Sequence, residues 1–582
     1  MGTRSTGDRV RRGASVAARC ALGLVCVGMA NACSISHPPV EQSRAGGGPL
    51  ANAPNVVLVL LDDLELGAFQ FMPLTQQLVA DSGVRFDSAF VSAPLCCPSR
   101  VSLLRGQYAH NTGVVANGGR NGGFAAAYRL GVERSTIATW LQGAGYRTGL
   151  FGKYLNFYPD GVDPTYVPPG WNTWAVPVRG TPYSGFRYTL NLNGSLREYG
   201  SEASDYATDV LRDLTLQFVT DASRADVPFL AVLSTFAPHS PSIPAPRHGE
   251  LFPDVAAPVT PATTGSELAR KPSFMRDLPI PPPSFVTENA DSLYRLRLQS
   301  LQAVDEAVAQ LVATLRDLGE LERTLIIVTS DNGYHFAAHG LPAGKETVYE
   351  DDIRVPLVAR GLGVPAGQRV GHMVLLTDLA PTIAELAGIT PELDPDGRSL
   401  VPLLRGETVG PWRRAALLSR ELPEHLKRRG ARLDSMAAST EGLAPPAEEP
   451  ADRGGDDDST GVRERNALQR GVAALPSSQR RAFQRIASYP SFRGVRTDDG
   501  WSYVRHEGGE EELYDLQGDA HQLRNLVPDS ASDARVAHQL SRLRRWTTSL
   551  MRCRGKACHA IENADPLGPP APLLAPSDGQ RP

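Results

Sequence analysis

Lysine is almost missing from this chain. Of 59 basic residues only five are lysines, at Lys153, Lys271, Lys345, Lys427 and Lys556. Positive charge is written as arginine by default, so a lysine marks a place where a planar guanidinium does not serve. A compact ammonium closes onto a tetrahedral oxyanion as a point charge, where the guanidinium fork is bulkier. Lys153 and Lys345, each in a Gly-Lys step beside other candidate site residues, are the two that fit this use. Basic charge is not in excess either. The formal net charge of -4 leaves no basic face and excludes nucleic acid as a partner. The apolar stretch at residues 20–30 is too short to span a bilayer as a stable helix. Cysteine is sparse, and internal repeats are absent.

What is present suggests an exported two-part protein. A chain of 582 residues exceeds one ordinary core and predicts a large α/β domain with a smaller one. Arg4, Arg9, Arg11, Arg12 and Arg19 precede the apolar stretch, and Ala30-Asn31-Ala32 follows it as a cleavage site, so residues 1–33 read as a signal peptide. Cys33 directly after that site is a candidate for lipidation. A secreted protein and a cell-surface lipoprotein both fit, and Arg11-Arg12 hints at twin-arginine export. Residues 34–53 are a linker, 430–475 a disordered insertion rich in Ala, Pro, Glu, Asp and Gly, and 566–582 a disordered tail. Cys553 and Cys558 are near enough to form a local disulfide in an oxidising compartment. Cys96 and Cys97 remain.

Several short apolar runs end in chemistry. Residues 55–61 read as a buried parallel strand ending in Asp62-Asp63, and residues 324–328 as another ending in Thr329-Ser330-Asp331-Asn332-Gly333. Open α/β sheets bind ligands beyond the carboxyl ends of their strands. Oxygen donors without His or Cys suit Ca²⁺, or less well Mg²⁺, rather than zinc. Each pair alone also fits a helix cap or an ordinary turn. Residues 229–233 form a third run, which places His239 at a strand end, fit to protonate a leaving alcohol. His110 and His335 are further candidates. Residues 240–290 are Pro-dense and predict a long irregular loop, 295–318 a helix, 378–382 a helix start, 492–505 antiparallel strands and 537–551 a closing helix.

Cys96-Cys97-Pro98-Ser99-Arg100, followed by Leu104-Arg105-Gly106, resembles the C-x-P-S-R signature of type I sulfatases. The likeness runs from about Pro54 to Cys558. It implies an alkaline-phosphatase-like α/β fold: a large mixed, mostly parallel sheet flanked by helices over residues 54–400, and a smaller α+β subdomain on an antiparallel sheet over 401–565. It implies that a formylglycine-generating enzyme oxidises Cys96 to formylglycine. The hydrated aldehyde is the nucleophile there, because its second hydroxyl can expel sulfate and regenerate the aldehyde. Arg100 holds that residue, and Asp62, Asp63, Asp331 and Asn332 bind calcium together with residue 96. Lys153 and Lys345 bind sulfate, and His239 is the general acid.

Within the family the likeness is closest to N-acetylglucosamine-6-sulfatases and heparan endosulfatases. It is carried by Cys96-Cys97, Gly152-Lys153-Tyr154-Leu155-Asn156, Asp331-Asn332-Gly333-Tyr334-His335, Asp352-Ile353-Arg354-Val355-Pro356 and the Cys553/Cys558 tail. The substrate implied is a sulfated carbohydrate or another sulfate ester. Alternatives are a phosphate or phosphonate ester hydrolase, and a sulfated-glycan binding protein without catalysis. One position departs from the pattern. Many arylsulfatases carry a His two residues after the first catalytic Lys, as base for sulfate elimination, and here that residue is Leu155. His110 and His335 are the expected stand-ins, in contact with substrate.

Overall fold

The computed structural model describes residues 53–263, 268–276, 283–422 and 489–567, with backbone alone for 283–289. The leader, Cys33, the linker up to residue 52, the 430–475 insertion, Lys427 and residues 568–582 lie outside the described residues.

Among the described residues, sixteen strands form three sheets. The first half of the chain contributes β1 (Asn55–Asp62), β2 (Val84–Phe86), β3 (Ala89–Phe90), β4 (Arg147–Gly152) and β5 (Thr173–Gly180). It continues with β6 (Tyr188–Leu192), β7 (Ser195–Tyr199) and β8 (Phe229–Pro238). Then come β9 (Thr324–Ser330), β10 (Leu357–Arg360), β11 (Gln368–Val370) and β12 (Val374–Leu375). A ten-stranded sheet runs β11-β2-β10-β9-β1-β8-β4-β5-β6-β7, and β12 pairs with β3 apart from it. The central strands β9, β1, β8, β4 and β5 are mutually parallel, and antiparallel pairs flank them on both sides. This is the large mixed sheet of the alkaline-phosphatase-like class.

Every residue of β1 is buried. Val56, Leu58 and Leu60 enter one apolar layer, while Val57, Val59 and Leu61 enter the other. A strand covered on both faces has no solvated side, so its sequence runs apolar without alternation. Each such side chain contributes about 1.5–3 kcal/mol by burial.

Six helices matter for the site: α1 (Cys96–Arg105), α2 (Ala207–Arg224), α3 (Pro283–Asp317), α4 (Leu379–Leu386), α5 (Ala534–Leu550) and α6 (Lys556–Asn563). Helix α3 packs Leu298, Leu301, Val304, Val308, Leu311 and Leu315 on one face of the sheet, at helical spacing. It begins at Pro283, about three turns before the expected start at residue 295. Apolar periodicity signals only the turns that touch the sheet, and a proline is tolerated in a first helical turn. The expected irregular loop is correspondingly shorter.

The third sheet is fully antiparallel: β13 (Ala415–Arg420), β14 (Phe492–Thr497), β15 (Trp501–His506) and β16 (Glu511–Asp515). Helix α5 closes it with Val536, Leu540, Leu543, Trp546 and Leu550. Cys553 and Cys558 are joined by a disulfide just beyond that helix.

Candidate active site

Register brings the strand ends together. Leu61 of β1 pairs with Ser330 of β9, Asp62 with Pro238 of β8, and Gly152 of β4 with Ser234 of β8. The residues just past each strand, Asp63, Asp331, His239 and Lys153, therefore emerge on one rim. Two consecutive strand residues normally point to opposite faces. Asp63 escapes this by taking a left-handed φ of 67°, and its carboxylate turns to the same side as that of Asp62. Ligand atoms of Asp62, Asp63 and His239 lie within 4.8 Å of one another, as do those of Asp62, Cys96 and Asp331.

Two glycines permit the approach. A Cβ on Gly152 would stand 1.9 Å from the Ser234 carbonyl oxygen, and one on Gly333 would stand 2.0 Å from that of Asp351. The first lets the Lys153 amide donate to Ser234 O at 2.8 Å, and the second lets the Gly333 amide donate to Asp352 O at 2.9 Å.

Helix α1 begins at the rim with Cys96 and is buried from Cys96 to Leu104. The Cys97 amide donates to Asn117 Oδ1 at 2.8 Å, which fixes that helix start. Arg100, one turn in, donates from Nε to Asp331 Oδ2 at 2.7 Å. Its NH1 donates to Ser234 Oγ at 2.6 Å and to the Lys153 carbonyl at 3.0 Å. One guanidinium thus ties three strand ends together. Lys153 Nζ reaches Asp62 Oδ2 at 2.6 Å, and Lys345 Nζ reaches Cys96 Sγ at 2.7 Å and also Asp63 Oδ1.

Charge is set by this packing. Burial would raise the Asp62 carboxyl, but the Lys153 ammonium more than reverses it and holds it well below the usual carboxylate range. Burial would lower Lys345, and the Asp63 carboxylate reverses that and raises it. Burial pushes the Cys96 thiol up to about 12, so the unmodified side chain is a neutral thiol.

The residues fit a hard cation. Asn332 donates from Nδ2 to Asp63 Oδ1 at 2.7 Å, while its Oδ1 is buried with no hydrogen-bond partner. A buried amide oxygen without a donor, beside three carboxylates, is an oxygen donor set of the kind that Ca²⁺ takes. Asp62, Asp63, Asp331 and Asn332 are the residues that could hold it.

His239 stands at the open side of this cluster, 21% exposed, with Nε2 3.7 Å from Asp63 Oδ2. Its Nδ1 is 2.6 Å from the Ser240 carbonyl oxygen. A carbonyl only accepts, so Nδ1 carries hydrogen and Nε2 is left to exchange a proton. Tyr183, on the loop after β5, packs its ring 4.6 Å from that of His239 and 5.2 Å from Lys153 Nζ.

The structure places His110 and His335 apart from this cluster. His110 lies past the far end of α1, about 15 Å along the helix from Cys96, and its Nε2 meets the Cys553 carbonyl at 3.1 Å. His335 is buried with Nδ1 on Asp352 Oδ1 at 2.8 Å and Nε2 on the Pro342 carbonyl at 2.9 Å. Both partners accept, so both ring nitrogens carry hydrogen. Burial would lower its pKa, and the Asp352 carboxylate overrides that and raises it. Both of its ring nitrogens are thus engaged within the protein.

Four residues of the site carry no strong sequence signal. Ser234 and Asn117 are ordinary polar residues that serve only through register and loop path. Tyr183 sits in a turn, and Arg420, which borders the opening shared with Asp63, His239 and Lys345, ends β13 of the antiparallel third sheet. Ser234 alone could have been found, because it immediately follows the apolar run of β8.

A family model described as Sulfatase matches residues 54–389. A Sulf-1 homolog of Caenorhabditis elegans, named as an extracellular sulfatase, is 38% identical over 64% of this chain and 53% of its own length. N-acetylglucosamine-6-sulfatase of Homo sapiens is 38% identical over 63% of this chain and 67% of its own. The chain thus spans about half the length of the worm relative. A solved structure of a protein in complex with its substrate D-glucosamine-2-N,6-O-disulfate superposes with a TM-score of 0.62 at 21% identity, covering 88% of this chain and 99% of that one. That likeness shows the fold. With the rim geometry, a family model covering more than half of the residues shows that this chain belongs to the sulfatase family.

Proposed function

We propose that this protein hydrolyses the sulfate ester of a sulfated sugar of the N-acetylglucosamine-6-sulfate kind, R–O–SO₃⁻ + H₂O giving ROH, sulfate and a proton. The observation that carries this reading is the meeting, at one strand-end rim, of Cys96, four oxygen ligands, two lysines and an imidazole. A calcium ion held by Asp62, Asp63, Asp331 and Asn332, with formylglycine at position 96, would supply the activated hydroxyl that attacks sulfur and then releases sulfate.

The remaining work falls to side chains. Lys153 and Lys345 offset the charge that gathers on the sulfate oxygens, and preorganised cations in a buried site do so without reorganising. Arg100 keeps Asp331 and the Lys153 backbone in place. His239 gives the proton on Nε2 to the departing sugar oxygen while Ser240 holds Nδ1. Having given it, His239 is the neutral imidazole able to take a proton back. The N-terminal leader supports export, in keeping with a carbohydrate substrate outside the cell.

The test is to express the chain with a formylglycine-generating enzyme and compare 4-nitrophenyl sulfate with 4-nitrophenyl phosphate. Faster sulfate hydrolysis with an aldehyde mass at residue 96 is expected. Faster phosphate hydrolysis would make it a phosphate ester hydrolase, and no turnover of either a glycan binder.

A further inference from the structure

A cavity of about 290 Å³ opens over the rim, with Asp63, His239, Ser240 and Lys345 at one end. Its other wall is Glu346, Arg420 and Tyr489, none of which the reaction uses. Glu346 directly follows Lys345 and holds a left-handed φ of 80°. A non-glycine residue in that region is strained and persists where its surroundings hold it. Here the holder is Arg420, from the end of β13. Its Nε and NH2 both donate to Glu346 Oε2, the first at 2.7 Å, and its NH1 donates to the Tyr489 carbonyl.

The division of exposure is informative. The Arg420 side chain is 6% exposed and that of Glu346 31%. Three of the five N–H groups of Arg420 are committed, its Nε/NH2 fork to Glu346 and one NH1 donor to Tyr489, and with the side chain buried it is Glu346 that is the more open to the cavity. The wall therefore presents to the cavity a carboxylate that is fixed in place, flanked by an aromatic residue. Such a group accepts hydrogen bonds from hydroxyl or amide N–H and repels anions.

The small cavity suits about one sugar ring. Any second anionic group on that ring would lie within a Debye length of Glu346, about 8 Å at physiological salt. Of the two cations on this cavity, Arg420 is already paired with Glu346 and is 6% exposed, and the ammonium of Lys345 is taken up by the reacting sulfate.

We propose that Glu346, clamped by Arg420, is a specificity determinant that selects a singly sulfated, otherwise uncharged sugar ring and disfavours one carrying a second anion. This deepens the sulfate ester reading and rests on it.

The matured, calcium-loaded protein and Glu346→Gln are compared on N-acetylglucosamine-6-sulfate, D-glucosamine-2-N,6-O-disulfate and 4-nitrophenyl sulfate. The unaltered protein is expected to favour the first sugar over the second by at least about tenfold in kcat/KM, equivalent to about 1.4 kcal/mol. Glu346→Gln is expected to shrink that ratio to about threefold or less, chiefly through KM, and to weaken the neutral sugar more than the aryl sulfate. An unchanged ratio, or a preference for the disulfate in the unaltered protein, overturns the proposal. So does an equal fall on all three substrates, which would make Glu346 only a support for Lys345. If Glu346→Gln does not fold, Glu346→Asp must narrow the ratio in the same direction, since it draws the charge back by one methylene. An unaltered protein that cleaves aryl sulfate without discriminating the sugars sinks this inference alone. One that cleaves no sulfate ester sinks the reading beneath it.

Discussion

Two buried charge clusters in this protein are built to different ends. In one, Arg413 donates from NH1 and NH2 to Asp378 at 2.7 and 2.8 Å and from Nε to Glu562 at 2.9 Å. Asp378 also receives the amides of Leu375 and Arg398, and Glu562 receives Tyr108 and Arg398. Both carboxylates are filled from within the chain, and the cluster fastens α6 to the main domain. At the strand-end rim the count does not close. Asn332 Oδ1 and Arg100 NH2 are buried without hydrogen-bond partners, and three carboxylates crowd within a few ångströms. A closed network holds the structure together, whereas an open one keeps capacity for a ligand. The cost of opening the first and the gain from filling the second can both be measured.

The largest effect is expected at the nucleophile position. Cys96→Ala lowers turnover by at least about a thousandfold, roughly 4 kcal/mol of transition-state stabilisation, with melting almost unchanged. Peptide mass spectrometry of the parent places the aldehyde at Cys96 and not at Cys97. Substantial activity in the variant would remove position 96 from the mechanism.

Next comes the closed cluster. Arg413→Ala leaves Asp378 and Glu562 buried without their cation, and about 3–5 kcal/mol of stability is lost. Urea denaturation reads this directly. A loss below about 1 kcal/mol would mean that water or rearrangement fills the gap, and the contrast between the clusters would fail.

Filling the open cluster stabilises. Calcium at about a hundred times its Kd adds about 2.7 kcal/mol, seen as a higher Tm that EGTA reverses. Asn332→Ala is expected to weaken that response, and Arg413→Ala to retain it. A Tm indifferent to calcium argues against the rim as a calcium site.

The smallest effect concerns geometry at constant charge. Lys345→Arg and Lys153→Arg each slow turnover by at least about tenfold, or about 1.4 kcal/mol. The exposed Lys556→Arg is the matched control and is expected to be silent. Equal effects at all three positions would show that the scarcity of lysine carries no functional information.

Much of the rim is legible in the sequence because local pattern and tertiary role coincide there. The apolar runs of β1, β8 and β9 signal buried strands. Open-sheet topology already places the residues at their carboxyl ends, Asp62-Asp63, His239 and Asp331-Asn332, at a ligand-binding edge. Lys153 and Lys345 stand out by rarity. The histidines show the opposite. His110 and His335 lie in promising segments, yet proximity in sequence says nothing of which way a ring is turned. His335 is spoken for by Asp352, and His110 is carried away by the length of α1.

By itself the sequence determined the strand cores, the polar strand ends, the Cys96 helix start and the closeness of Cys553 to Cys558, since each depends on short-range periodicity, composition or spacing. Only the tertiary structure decided which imidazole stands beside Asp63, which serine accepts from Arg100, and that Arg420 grips Glu346 across 74 positions of chain. Those choices depend on strand order, register and the docking of a second sheet. Contacts between residues far apart in the chain leave no periodic trace in either segment, so they become visible only when the backbone has brought the partners together.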